Sequence, residues 1–156
     1  MILLGLCGQA GTGKDTVASY LVERYGFVSF SFTDALYREV TQAFDLESDE
    51  LLHNRATKEE PSELLALSRC ADPAFIAVAE KALRAQNFLA WIPDVVGPPR
   101  SPRQILQLWG TEYRRAQDPG YWVYKAEEFV GQMLTAGPYA ELRAQRFVNT
   151  SVRFEN

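Results

Sequence analysis

The chain of 156 residues is short of several things. It has two cysteines, Cys7 and Cys70, whose spacing suggests neither a disulfide framework nor a metal site, so a reducing cytosol is the expected compartment. It has one histidine, His53, in a polar stretch where it reads as a solvated loop side chain, and hydrolytic triads are disfavoured. Positive charge is scarce as well: 16 Lys and Arg against 20 Asp and Glu leave a net charge of −4. That balance argues against a nucleic-acid polymer held by charge, while small phosphorylated ligands remain compatible. The apolar run at the N-terminus, MILLGLC, is too short for a signal segment. No later stretch approaches the roughly 20 apolar residues of a membrane helix. A soluble, unexported protein without a membrane partner is expected.

What is present is ordinary for a globular domain, with 47% hydrophobic and 12% aromatic residues. Ile2, Leu3, Leu4, Leu6 and Cys7 form a nearly continuous apolar run ending in glycine, which predicts a strand buried on both faces of a parallel sheet. Ala18, Leu21, Val22 and Tyr25 then repeat at helical spacing, with Gly26 at the C-cap position. FVSFSF, residues 27–32, alternates as a second strand, and Thr33 is the expected cap of a helix lined by Leu36, Val40 and Phe44.

From about 45 to 100 the pattern predicts a polar and helical excursion. Residues 45–61 show no sustained period, Ser62 to about Cys70 reads as a helix, and Asp72 and Pro73 open another. FLAWIPDVV resembles a strand, with Pro93 arguing against a central place. Ser101 and Pro102 start a helix carrying Ile105, Leu108 and Trp109. Trp122, Ala126, Phe129 and Met133 trace one more, ended by Gly137 and Pro138, and RFVNTSVRF is a late strand. With no repeat or linker, a single α/β domain over 1–156 is the expectation.

The chemistry concentrates in GQAGTGKDT, residues 8–16. Gly8, Ala10, Gly11, Thr12 and Gly13 form the loop of a phosphate cradle, in which backbone N–H groups face phosphate oxygens at a helix N-terminus. Lys14 supplies a point charge to the β and γ phosphates. The next position normally offers a hydroxyl to Mg²⁺, and here it is Asp15, a hard oxygen ligand, followed by the hydroxyl of Thr16. Nucleotide binding follows from strand, loop and helix in that order.

Four stretches, GQAGTGKDTVASYL, FSFTDALYREV, SPRQILQLWGTEYRRAQDPGYWV and TSVRFEN, resemble the phage-type deoxynucleoside monophosphate kinases of the P-loop kinase superfamily, which also look like dephospho-CoA kinases. Aspartate after the lysine is normal for that family. The resemblance implies a three-layer P-loop fold with a parallel sheet, ATP and Mg²⁺ at the loop, and phosphoryl transfer to a deoxynucleoside monophosphate in a bacterial or phage-infected cytosol. It places Lys14, Arg115 and Asp34 in catalysis, and Asp34, Arg38, Gln107, Thr111, Glu112 and Arg115 on the acceptor side. Arg114 rivals Arg115 as the clamp on the monophosphate. Asp34 reads equally as a helix-start carboxylate, Arg38 as a solvated face and Trp122 as core instead of a base-stacking ring.

Two departures accompany the likeness. Ser151 stands where the family usually has an aspartate before VRF, although Arg153 matches, so the serine weakens the metal site or leaves it to Asp15, with the Thr16 hydroxyl nearby. The chain also stops at Asn156, inside a motif that continues in relatives. A sheet incomplete at that end would expose an edge, which pairing into a homodimer would close. A non-catalytic nucleotide-binding protein, or a P-loop kinase for another small acceptor, are the alternative readings.

Overall fold

The computed structural model describes residues 1–9, 11–86, 94–135 and 146–152. It falls into two compact units, Met1–Ala35 with Trp122–Asn156, and Leu36–Tyr121.

The first unit is built on a three-stranded parallel sheet in the order β1-β3-β2, with β1 at Ile2–Cys7, β2 at Val28–Phe30 and β3 at Arg146–Val152. Leu4 and Ser29 both pair with Val148, and Gly5 and Phe30 with Asn149. Because side chains alternate across a strand, Ser29 and Val148 share one face, Phe30 and Asn149 the other. Helix α1 (Lys14–Tyr25) packs on the first face, where Ala18, Phe27 and Val148 form a small core with Leu6 and Leu21 against it. Helix α6 (Tyr121–Thr135 in chain order) reaches the second, where Phe129 lies 5.6 Å from Phe30. The result is a mixed α/β fold with helices on both faces of a parallel sheet.

Two expectations need correction here. β1 is not buried on both faces: it lies at an edge among the described strands, Leu3 is 56% exposed, and Ile2 and Leu4 are exposed too. An apolar run fits a central or an edge strand alike, and the partner that decides between them, β3, lies about 140 residues on. The second strand is also shorter than six residues, because Phe32 already belongs to helix α2 (Phe32–Ala43). Gly26 caps α1 as expected, with φ 66° and its N–H on the Leu21 and Val22 carbonyls.

The second unit is helical. Short helix α3 (Glu50–His53) sits inside the stretch expected to be aperiodic, and buries Leu52 completely. The helix expected over 62–70 is two 3₁₀ turns, Glu63–Leu65 and Leu67–Arg69, broken by the extended backbone of Ala66. Buried Leu65 and Leu67 are two apart, a spacing a continuous helix would not put on one side. Helix α4 (Pro73–Gln86) is opened by Asp72, whose Oδ1 accepts from the N–H groups of Ala74 and Phe75, both at 3.0 Å. Helix α5 (Pro102–Gln107) is capped by Ser101 through Gln104 N–H at 3.2 Å. It runs on into a π-helix, Leu108–Arg115.

The core of this unit is aromatic: Phe75 packs 4.5 Å from Trp109, 5.6 Å from Tyr113 and 6.2 Å from Phe44, ring centre to ring centre. Most of the strand expected at FLAWIPDVV falls outside the described residues; Asp94, Val95 and Val96 form an irregular turn, with Asp94 Oδ1 accepting from Val96 and Gly97. Among the described residues no helix is long and apolar enough to cross a membrane.

Candidate functional site

All three strands are parallel, so their carboxyl ends lie along one edge of the sheet, where ligands of open α/β folds gather. From that edge rise the glycine loop after β1, Asp34 after β2 and Ser151 near the end of β3. The sequence spreads these over 140 residues; the topology of the first unit collects them.

The loop is shaped by its glycines. Gly11 and Gly13 both have φ 80°, a left-handed conformation that side chains resist. Gly13 stands immediately before α1 in the N-cap position, where its carbonyl takes the N–H of Val17 at 3.0 Å, so the N–H groups of the first turn are left for a ligand. The Lys14 ammonium curls back across the loop, donating to the carbonyls of Gly8 at 2.9 Å and Gln9 at 2.7 Å. Thr12 Oγ1 donates to the same Gln9 carbonyl at 2.8 Å. Asp15 and Thr16 are exposed in the first turn of α1, where they present a carboxylate and a hydroxyl. Among the described residues no cluster of three His, Cys, Asp or Glu is poised for a metal. Ala10 lies outside the described residues.

Beside the loop, Asp15, Ser19 and Glu23 of α1 face Ser29 of β2 and Thr150 of β3 across a cleft of about 270 Å³. Asp34 is exposed and one of its oxygens accepts the Ser31 N–H at 2.7 Å, while Ser31 Oγ accepts from Thr33 N–H at 3.2 Å. This is a reciprocal cap in which Ser31, not Thr33, closes the helix start. The signal was in the sequence as S-F-T-D, serine three residues before an acid.

Ser151 has a definite task. Its hydroxyl accepts the Phe32 N–H at 2.7 Å and donates to Asn149 Oδ1 at 3.0 Å, tying the end of β3 to the start of α2. Asn149 is the buried polar side chain of the strand and also accepts the Ser151 N–H at 2.9 Å. Trp122 is 8% exposed, which agrees with packing in its helix stripe. Arg153 lies outside the described residues.

The remaining candidates belong to the second unit. Gln107, Thr111 and Arg115 are all exposed and four residues apart, a stripe along α5 and the π-helix, with Glu112 half-buried next to it. Arg38 is exposed on α2. Arg114 goes elsewhere: its Nε donates to Glu39 at 2.9 Å, and its Cζ lies 4.5, 5.1 and 5.3 Å from the rings of Tyr113, Tyr121 and Trp109. Burial pulls this guanidinium down, but the hydrogen bond and charge of Glu39 outweigh it and the net shift is upward. Glu39 also accepts from Trp109 Nε1 at 2.8 Å and from the Tyr121 hydroxyl. Burial, then the Glu39 hydrogen bond, push the Tyr121 phenol up to about 12. Nothing local marks Glu39, whose three donors lie 70 to 82 positions away.

Comparison with known proteins adds one likeness. Over 63 residues the chain is 40% identical to a protein of Acanthamoeba polyphaga mimivirus named "Putative deoxynucleotide monophosphate kinase". The match covers 40% of this chain and 33% of that protein, so the aligned stretch spans about a third of the relative's length. No protein-family model matches the chain. No solved structure matches it either.

Proposed function

We propose that the protein is a P-loop kinase that moves the γ-phosphate of ATP to a deoxynucleoside monophosphate. The observation that carries this reading is the loop of residues 8–16: left-handed glycines after a parallel strand, a lysine at the helix start and free first-turn amides. The mimivirus likeness supports the choice of acceptor. Phosphoryl transfer needs little covalent help, so the chain's work is placement and charge neutralisation.

Lys14 holds the phosphates once its ammonium leaves the Gly8 and Gln9 carbonyls, and those two carbonyls are a resting place at the right distance. The N–H groups at the start of α1 orient the same phosphates. The donor set fits ATP and Mg²⁺: two exposed oxygen ligands, Asp15 and Thr16, suit a cation that takes few protein ligands and completes its shell with water and phosphate. Bound Mg²⁺ would neutralise charge on the transferring group. Ser151 is not counted among its ligands, because its hydroxyl is occupied by Phe32 and Asn149.

On the acceptor side we assign Arg115, with Gln107 and Thr111 on the same stripe, and Glu112 and Arg38 as neighbours in the chain's acceptor motifs. Asp34 keeps one oxygen on the Ser31 N–H, and we assign the other to the acceptor or the metal.

The test is ADP release from ATP and Mg²⁺ with each deoxynucleoside monophosphate in turn. Acceptor-dependent release is expected, falling about 100-fold or more in Lys14→Ala without loss of folded protein. Tight ATP binding with no turnover on any acceptor would overturn the kinase reading and favour a non-catalytic nucleotide-binding protein, the alternative that the committed Ser151 hydroxyl favours.

A further inference from the structure

One carboxylate in the second unit carries more than an ion pair. Glu39 takes hydrogen bonds from Trp109 and Arg114, which are five residues apart near the two ends of the π-helix, and from Tyr121 beyond it. In an α-helix, at 3.6 residues per turn, side chains five apart point about 140° away from each other. In a π-helix, with its i→i+5 bonds and about 4.4 residues per turn, they diverge by only about 50°. The wide winding brings both side chains towards the side from which one carboxylate reaches them. The backbone agrees, since the Ala116 N–H bonds to the Thr111 carbonyl five residues back. Helix α2 is also close enough to impose this, because Leu36, one turn before Glu39, has its Cδ2 3.5 Å from where a Cβ on Gly110 would stand.

We infer that Glu39 is a positioning residue: its carboxylate selects the π-helical winding of Leu108–Arg115 and so sets where Thr111 and Arg115 present themselves to the acceptor. This rests on the kinase reading above for the identity of the ligand, but not for the winding itself. Trp109 is fixed in the aromatic core at 2% exposure, so any rewinding appears at the far end. Relaxation to α-helical winding would carry Arg115 more than about 100° further around the axis relative to Trp109. The exposed Arg115 would then face another direction relative to the fixed core, while Thr111, two residues beyond Trp109, would turn by only about 36°.

The experiment compares Glu39→Gln with Tyr113→Phe. The second variant also loses a hydrogen bond in the same cluster, from the Tyr113 hydroxyl to Asp72 at 2.9 Å, but does not touch the two ends of the π-helix. Glu39→Gln is expected to raise KM for the deoxynucleoside monophosphate at least about tenfold and leave KM for ATP unchanged. Tyr113→Phe, at a similar loss of Tm, is expected to change neither. Equal kinetic effects in the two variants, tracking Tm alone, would overturn the inference. Backbone NMR of both forms keeps the winding separate from the chemistry: amide contacts at i→i+5 in the parent should give way to i→i+4 in Glu39→Gln. A parent protein that turns over no acceptor sinks the kinase reading, and π-helical contacts that persist in Glu39→Gln sink this one.

Discussion

Helix α1, which opens the glycine loop's site, buries a single residue, Ala18; the π-helix of the second unit buries four of its eight, Leu108, Trp109, Gly110 and Tyr113. The two regions hold chemistry in opposite ways. The loop presents backbone amides whose directions are fixed by the dihedral angles of Gly11 and Gly13, so it needs little burial around it. The π-helix presents side chains, and these are aimed by an aromatic core and by a carboxylate from another helix. The glycine loop's geometry is therefore a local matter, and an arginine's placement is a tertiary one.

The contrast is sharpest in stability. Phe75→Ala empties the centre of a ring cluster and is expected to cost about 3–5 kcal/mol in urea unfolding. Leu3→Ala on the exposed β1 edge should stay within about 0.5 kcal/mol. Comparable losses at the two sites would erase the distinction. Tyr121→Phe comes next, because the lost hydrogen bond is to a carboxylate, at about 1.5–3 kcal/mol near neutral pH.

The same phenol gives a pH signature. Its folded pKa, about 12, lies above the ordinary value of 10, so between these limits the unfolded chain has already released the proton that the native state keeps. The Tyr121 contribution is thus complete below pH 10 and is lost as pH rises through about 12. Alkaline unfolding followed in parent and Tyr121→Phe should converge over that window. A constant gap between the two would show that the phenol titrates no differently when folded.

Gly13→Ala should cost about 1–2 kcal/mol, since alanine resists φ 80°, and should weaken nucleotide binding because the first-turn amides rotate with it. Calorimetric titration with a non-hydrolysable ATP analogue reads the second effect directly. Unchanged affinity would mean that the loop's dihedrals do not aim the donors.

Legibility followed the same division. The loop, α1, its Gly26 cap, α4 with its Asp72 cap, α5 with its Ser101 cap and the late strand were all readable, because each depends on residues within a few positions of one another. The exposure of β1 was not readable, since it depends on which strand lies beside it. Nor was the π-helix: its winding is set by Glu39, 69 or more positions earlier, and the periodicity of LQLWGTEYRR fits an α-helix as well. Between these neighbours, Arg114 and Arg115, the sequence motif favours Arg115, with Arg114 as its rival. Only the cluster around Glu39 separates a caged cation from an exposed one.

A further modest effect tests whether Ser151 belongs to the metal site proposed for the first unit. Ser151→Ala removes the acceptor of the Phe32 N–H and the donor to Asn149, a loss of about 1 kcal/mol in unfolding free energy. If the hydroxyl is a structural tie, the Mg²⁺ concentration that half-saturates ADP release should be the same in parent and variant, whereas Asp15→Asn should raise it. A Ser151→Ala protein of parental stability whose Mg²⁺ requirement has risen would reverse the assignment, placing the β3 serine with the cation and leaving the start of α2 to hold itself through Ser31 and Asp34.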